Sequence, residues 1–282
     1  MIDLKISKYA KTLWFLAFLT TLGLAIYQRL TGPTHPLRGV VQVGGHSLKY
    51  RLKRSAICEK GAQIELKAPP EVKGVLRYRR HLSNDEWSSV PMKRQGESLG
   101  ASLPKQPPAG KMQYVVLLHC KEQEAIIDND GPIILRYKGR VPIGVLLPHI
   151  IFMFLAMVFS ARAGFEALDK EGNVRRYAAW TVGSLLLGGF ILGPIVQKYA
   201  FGAYWTGWPF GTDLTDNKAA VALLFWLIAL WRAGKEKGGR VAVILASLVM
   251  VAVYLIPHSV RGSELDYRSG KAVNAAPTAI PQ

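Results

Sequence analysis

Acidic residues are the scarce class in this chain: 19 Asp and Glu stand against 36 Lys and Arg, a formal net charge of +17 over 282 residues. Cysteine is scarcer still, with only Cys58 and Cys120 in the whole sequence. No paired-cysteine motif and no His-Glu-x-x-His stretch occurs, so a metal held by either standard local motif is excluded. A phosphate-cradling glycine loop, a nucleophile elbow and a kinase signature are likewise missing, and with them the usual marks of soluble-nucleotide chemistry. Charge is also missing from the middle of the long apolar runs, and no segment is duplicated, which argues against a transporter.

What the chain does have is apolar sequence gathered into blocks. Leu13–Tyr27, Val141–Ser160, Ala178–Val196, Ala219–Trp231 and Val241–Ile256 are each almost free of charge. A bilayer crossing takes about 20 residues, which the middle blocks approach. The fourth reaches that length if its helix runs from Asp216 to Arg232, and the fifth if it runs from Arg240 to His258. The first block follows Lys5, Lys8 and Lys11, as a secretory signal would, but Gln28–Pro33 offers no small-residue cleavage site, so residues 1–30 read as a retained anchor.

Basic residues in short loops set the orientation. Lys5, Lys8 and Lys11 flank the first span; Arg162, Lys170, Arg175 and Arg176 fall between the second and third; Arg232, Lys235, Lys237 and Arg240 fall between the fourth and fifth. These three groups belong in the cytoplasm, which leaves residues 31–140, the loop 199–218 and the tail 259–282 on the extracytoplasmic side of a bacterial inner membrane. The end of that tail is expected to be disordered.

Residues 31–140 alternate apolar and polar instead of running continuously. Ile64-Glu65-Leu66-Lys67, Val75-Leu76-Arg77-Tyr78-Arg79 and Met112–Leu118 carry the period-two pattern of half-buried strands, separated by turns such as Ala68-Pro69-Pro70 and Ser83-Asn84-Asp85. About seven such runs in roughly 100 residues suggest a β-sandwich. The expected fold is a membrane α-helical bundle of five transmembrane helices with an all-β sandwich inserted between helices 1 and 2, the other four helices lying within 141–258.

Val75–Arg80, then Trp87, Val90-Pro91-Met92 and the proline-glycine turn that leads to Tyr114 resemble the middle of bacterial extracytoplasmic immunoglobulin-like or fibronectin type III-like domains. The resemblance covers about residues 38–140 and implies the sandwich fold; binding, spacing and catalysis-adjacent roles are all found on such domains. The remainder is similar to multispan bacterial inner-membrane proteins. Cys58 and Cys120 both fall in this domain, where an oxidising compartment permits a disulfide; two separate thiols fit the spacing as well, and a copper pair with His119 is a third arrangement.

The β region adds its own basic excess, including Lys49, Arg51, Lys53, Arg54, Arg77, Arg79 and Arg80. Anionic lipid headgroups, an acidic protein partner or an acidic glycan would suit it. Nucleic acid would not, because no reading motif accompanies the charge.

The chemistry-bearing residues gather at the outer ends of the spans. His149 follows Pro148 in the second span; Asp213 and Asp216 open the fourth; His258 closes the fifth, and Glu264 and Asp266 follow it in the tail. These carry two readings. As ligands, His149, Asp213, Asp216, His258 and Glu264 are candidates for a transition-metal site of a membrane-embedded redox protein. As structure, Asp213 or Thr215 caps the fourth helix, and Glu264 pairs with Arg261 in solvent. His35, Tyr204, Trp205, Trp208 and Asp266 are candidate ligand or interface residues, the aromatics forming either a stacking box or an interfacial belt. A non-enzymatic membrane subunit or scaffold presenting the sandwich to a protein partner is the leading functional expectation, and the metal protein the alternative.

Overall fold

The computed structural model describes residues 9–169, 172–235, 238–258, 260, 262–267 and 272–274. Lys5, Lys8, Lys170, Lys237 and Arg261, and the expected disorder at the end of the tail, lie outside the described residues.

The chain enters as α1 (Ala10–Thr31) and passes through eleven strands before returning to helix: β1 (Leu37–Val43), β2 (His46–Leu52), β3 (Ser55–Ile57), β4 (Ala62–Lys67), β5 (Lys73–Arg80), β6 (Ser88–Pro91), β7 (Lys93–Gln95), β8 (Ser98–Leu103), β9 (Lys111–Cys120), β10 (Gln123–Ile127) and β11 (Ile133–Lys138). The largest sheet has the order β3-β11-β9-β5-β6, a second has β4-β8-β7, and β1 pairs with β2. The long strand β9 divides one edge between two partners, β11 along Lys111–Tyr114 and β10 along Val116–Cys120. Side chains from all three sheets meet in one core, with Leu52 from β2, Ile64 from β4, Leu103 from β8 and Leu118 from β9. The alternation legible in the sequence is the alternation of burial: along β4, Ala62, Ile64 and Leu66 are buried while Glu65 and Lys67 are exposed.

Two tyrosines anchor this core by their hydroxyls. Tyr114 donates to Lys53 O at 2.7 Å and Tyr137 to Pro104 O at 2.8 Å. Burial raises the pKa of both phenols, which keeps them as donors. Cys58 and Cys120 are free thiols. Successive residues of a strand face opposite sides, so Cys120 packs in the core while His119 turns to Glu124 across the β9–β10 hairpin at 3.0 Å. Both the bridge and the copper pair therefore give way to two separate thiols.

Beyond the β domain run α2 (Ile143–Glu166), α3 (Val174–Leu185), a π-helical stretch (Leu186–Leu192), α4 (Gly193–Phe201), α5 (Leu214–Ala233) and α6 (Gly239–Leu255). Four segments are long and apolar enough to cross a membrane: α1, α2, the continuous run Val174–Phe201, and α5. The fifth, α6, has 17 residues and stops three short of His258, where the chain turns extended at Ile256. Large apolar side chains such as Phe15, Leu19, Leu224 and Leu248 cover the outside of the bundle, and its centre is built from small ones, including Ala156, Ala163, Ala178, Ala222 and Ala246. Small residues let helices approach closely where no water drives them together.

One feature was misread in the sequence. Arg162 is not a loop residue: it lies inside α2, 1% exposed, ion-paired with Glu166 one turn on and stacked 4.5 Å from the Tyr177 ring. The third apolar run, which Gly188, Gly189, Gly193 and Pro194 mark as a close-packing or bent helix, carries a bulge. Gly193 N–H reaches back to Gly188 O, the wider i to i−5 bond, and this bulge lets Gly188 touch α2. A Cβ at Gly188 would sit 3.0 Å from Phe152 Cβ and 3.1 Å from Met153 N.

Because one of those neighbours is backbone, Gly188→Val has no room to relax. It is expected to lower stability by about 1–3 kcal/mol, the usual cost of overpacking, seen as a lower unfolding midpoint in detergent. The same change at Gly183, whose Cβ would meet nothing within 4 Å, is the control.

Candidate functional site

The β domain and the bundle meet through the tail that follows α6. Strand β12 (Ser263–Leu265) pairs antiparallel with β13 (Ala272–Asn274), and β12 is buried between the two parts of the molecule. Leu265 N–H donates to Ala109 O at 3.1 Å. Tyr267 Oη donates to Lys111 O at 2.9 Å and accepts from Lys111 N–H at 3.0 Å. Lys111 Nζ binds Glu264 Oε2 at 3.0 Å, and Arg136 of β11 donates to Ser263 O while its guanidinium stacks 4.2 Å from the Phe201 ring. A direct bond, Gly139 N–H to Ala200 O at 2.9 Å, adds a link that needs no tail.

Below the tail, two carboxylates organise the loop between α4 and α5. Asp213 is the N-cap of α5, its Oδ1 accepting from Thr215 N–H at 2.8 Å. Its Oδ2 accepts from Ser263 N–H at 2.9 Å, from Ser263 Oγ at 3.1 Å and from Thr206 Oγ1 at 3.1 Å. Asp216, in the first turn of the helix, uses Oδ2 for Thr206 N–H at 2.7 Å, Gly207 N–H at 2.9 Å and Gln197 Nε2 at 3.2 Å. Carboxylates are favoured here by the positive end of the α5 dipole as well as by these donors. Gly207 has no space for a side chain, since its Cβ would meet Asp216 Cβ at 2.5 Å.

Burial lowers the pKa of Arg136, opposed by Asp213 and Glu264, and lowers that of Lys111, opposed by Glu264. Each cation is kept in a desolvated place by carboxylates on a different segment.

The network roofs a cavity of about 250 Å³ lined by His149, Asp213, Asp216, Lys218, His258, Arg136 and Trp205, among others. His149 of α2, Asp213 and Asp216 at the start of α5, and His258 after α6 thus line one chamber. His149 Nδ1 donates to Gly188 O at 2.9 Å, which leaves Nε2 as the free nitrogen of the neutral ring. Lys218 Nζ donates to Ile256 O at 2.6 Å.

Other sequence candidates go elsewhere. Glu264 is buried, only 5% exposed, and bound to Lys111; it does not line the chamber, and its expected pairing with Arg261 lies outside the described residues. His35 sits in a turn, its N–H on Gly32 O at 2.9 Å, outside the chamber. Asp266 lies half-buried beside Leu265 and also stays outside. The aromatics divide: Trp205 lines the chamber and packs on Phe190 at 5.6 Å, whereas Tyr204, Trp208 and Phe210 face outward. Among the described residues, no three His, Cys, Asp or Glu side chains gather closely enough to hold a metal ion. Asp213, with both oxygens already accepting hydrogen bonds, is used as structure.

Sequence reading named none of Gln197, Thr206, Ser263, Lys111, Arg136, Lys218 and Tyr267 as site residues, although Thr206 and Lys218 lie in the loop 199–218 and Ser263 and Tyr267 in the outer tail. Only Lys218 carried a local signal, a cation one turn into an apolar run. The rest are ordinary polar residues whose importance comes from where the fold puts them. No protein-family model, curated protein or solved structure matches the chain.

Removing the Asp213 carboxylate leaves Ser263 N–H and Thr215 N–H without their acceptor. Asp213→Ala is expected to cost about 1–3 kcal/mol per buried unpaired donor. In hydrogen exchange, the Ser263 and Leu265 amides should lose protection first, while the β domain core keeps its own.

Proposed function

We propose that this protein is a non-enzymatic subunit or scaffold of a membrane complex. It crosses the bacterial inner membrane five times, with its N-terminus in the cytoplasm, and holds an immunoglobulin-like or fibronectin type III-like sandwich on the extracytoplasmic face. The observation that carries this reading is the multiple fastening of the β domain to the bundle through Arg136, Lys111, Glu264, Tyr267 and Gly139. A domain that only needed tethering would hang from its two linkers; one fastened at several points keeps its orientation for a partner.

Five crossings are supported by the alignment of α5 with α6. Lys218 near the start of α5 binds Ile256 just past the end of α6, and at the other end Gly239 lies against Arg232 O. The 17 residues of α6, about 26 Å at 1.5 Å per residue, therefore run beside α5 from Lys218 to Arg232. The cytoplasmic end is supported by Lys11, Arg175, Arg176, Arg232, Lys235 and Arg240, all placed at the end of the bundle away from the β domain.

The partner surface is assigned to Lys49, Arg51 and Lys53, exposed at alternate positions of the β2 region and so on one face. An acidic protein is the partner that suits it, with anionic lipid or acidic glycan as the other chemistries of the same sign. Lys49→Glu with Arg51→Glu should release a stoichiometric partner retained by the unaltered chain in mild detergent, while the unfolding midpoint stays within about 0.5 kcal/mol of the original. A chain recovered only as a solitary monomer would sink the scaffold reading.

A metal-dependent redox protein is the second reading, supported by His149 and His258 facing the same chamber. Iron, copper, manganese or zinc at one equivalent, lost in both His149→Ala and His258→Ala, is its expected signature in elemental analysis; no such metal in any preparation removes it.

A further inference from the structure

A second cavity, about 430 Å³, adjoins the chamber under the domain junction. The two share Gln28, His149, Met153, Val196, Tyr254 and His258, so they abut along one wall, in which Gln28 Nε2 donates to Tyr254 O at 2.6 Å. Together they fall in the size range of ligand sites, roughly 300–1,000 Å³.

The two arms differ in chemistry. The second arm runs between α1 and α2 along Ala25, Leu146, Ile150, Phe154 and Met157. Ile150 and Phe154 are 42% and 44% exposed, which leaves this arm open on the apolar outer face of the bundle, where hydrocarbon chains would surround it. The first arm ends in charge. Arg136 is 7% exposed, and its Nε is buried without a hydrogen-bond partner among the described residues. Lys218 reaches only a carbonyl, and neither it, Arg136 nor Arg29 of the second arm belongs to any of the ion pairs seen among the described residues. Asp213 and Asp216 also face the chamber; Asp213 acts on both Arg136 and Lys218 without a direct contact, its oxygens held by other donors, and Asp216 holds four donors on one oxygen. An unpaired donor on a desolvated guanidinium is costly unless something accepts from it.

We propose that the two abutting cavities open into one another and bind one membrane amphiphile, its anionic head (phosphate or carboxylate) beside Arg136 and Lys218 and its hydrocarbon chain in the groove between α1 and α2. The bend at His149 and His258 separates the two halves, with Trp205 and Phe201 in the roof over the head. Entry is lateral, from the bilayer through the Ile150–Phe154 side, so the head has to pass the two imidazoles. This site is separate from the partner surface on β2, and its walls include His149 and His258, the residues of the metal reading.

Native mass spectrometry of the full chain, released from nanodiscs of phosphatidylcholine with 10% phosphatidylglycerol (about one anionic lipid in ten, a probe composition chosen for contrast), tests the proposal. One phosphatidylglycerol should stay bound in preference to the more abundant phosphatidylcholine. Lys218→Met should weaken that retention about tenfold, equivalent to about 1.4 kcal/mol. Because Lys218 also holds Ile256, the second variant is Ala25→Trp, which fills the apolar arm, leaves every charged residue in place and should abolish retention with an unchanged unfolding midpoint. Dodecyl phosphate should compete, and inorganic phosphate should not. Equal retention of both lipids, or undiminished retention in Ala25→Trp, would overturn the proposal; competition by inorganic phosphate as strong as by dodecyl phosphate would overturn the amphiphile and leave a free-anion site.

Discussion

One buried carboxylate, Asp213, joins parts of the chain that have no other reason to meet. It caps α5, holds Thr206 of the loop before that helix, and receives both the amide and the hydroxyl of Ser263 from the tail. A carboxylate can do this because it accepts at several positions and has no proton of its own to dispose of. Placed at a helix N-terminus and ringed by N–H and O–H donors, it keeps its charge away from bulk water. Ser263, once fixed, brings Glu264 to Lys111 and Tyr267 to the Lys111 backbone, and the β domain is thereby tied to the bundle.

This arrangement explains how a polar site persists beside apolar helices. The loop Tyr199–Lys218 is held by its own bonds, the Thr206 and Gly207 amides on Asp216 and the Trp208 amide on Asn217, and by the tail laid across it. The chamber beneath is a consequence. Its walls are the ends of α2, α4, α5 and α6, and its roof is the loop and β11. Cations at the rim, Arg136 and Lys218, arrive from a strand and a helix far apart in sequence, so their joint presence depends on the same fastening.

The opposite end of the bundle is organised by cations instead. Arg162 and Glu166 form a buried pair within α2, shielded by Tyr177, and Arg240 donates to the carbonyls of Glu166, Asp169 and Gly172 in the loop after α2. Arginine suits that task because its planar fork reaches several carbonyls at once. Charge near this end therefore has two roles: surface residues such as Arg176 bear on orientation, while Arg162 and Arg240 hold the helix ends together.

Local patterns determined much of this protein. Long apolar blocks marked the helices, period-two alternation marked the strands, and an Asp-x-Thr start marked the cap of α5, because each of these is a property of neighbouring residues and needs no distant partner. Topology then brought His149, Asp213, Asp216 and His258 to one end. Tertiary structure alone decided what they do there. Glu264 was legible as a charged tail residue, but its burial depends on Lys111, 153 positions away; Arg136 was one basic residue among many in the β domain until the fold set it over Phe201. Gly188, Gly189 and Gly193 marked a close-packing or bent helix, and the packing against α2 decided that the bend is a π-helical bulge. Hydrophobic periodicity reports how each segment meets its solvent, whereas a polar site is made by pairings across the chain, and those become visible only when the segments are packed.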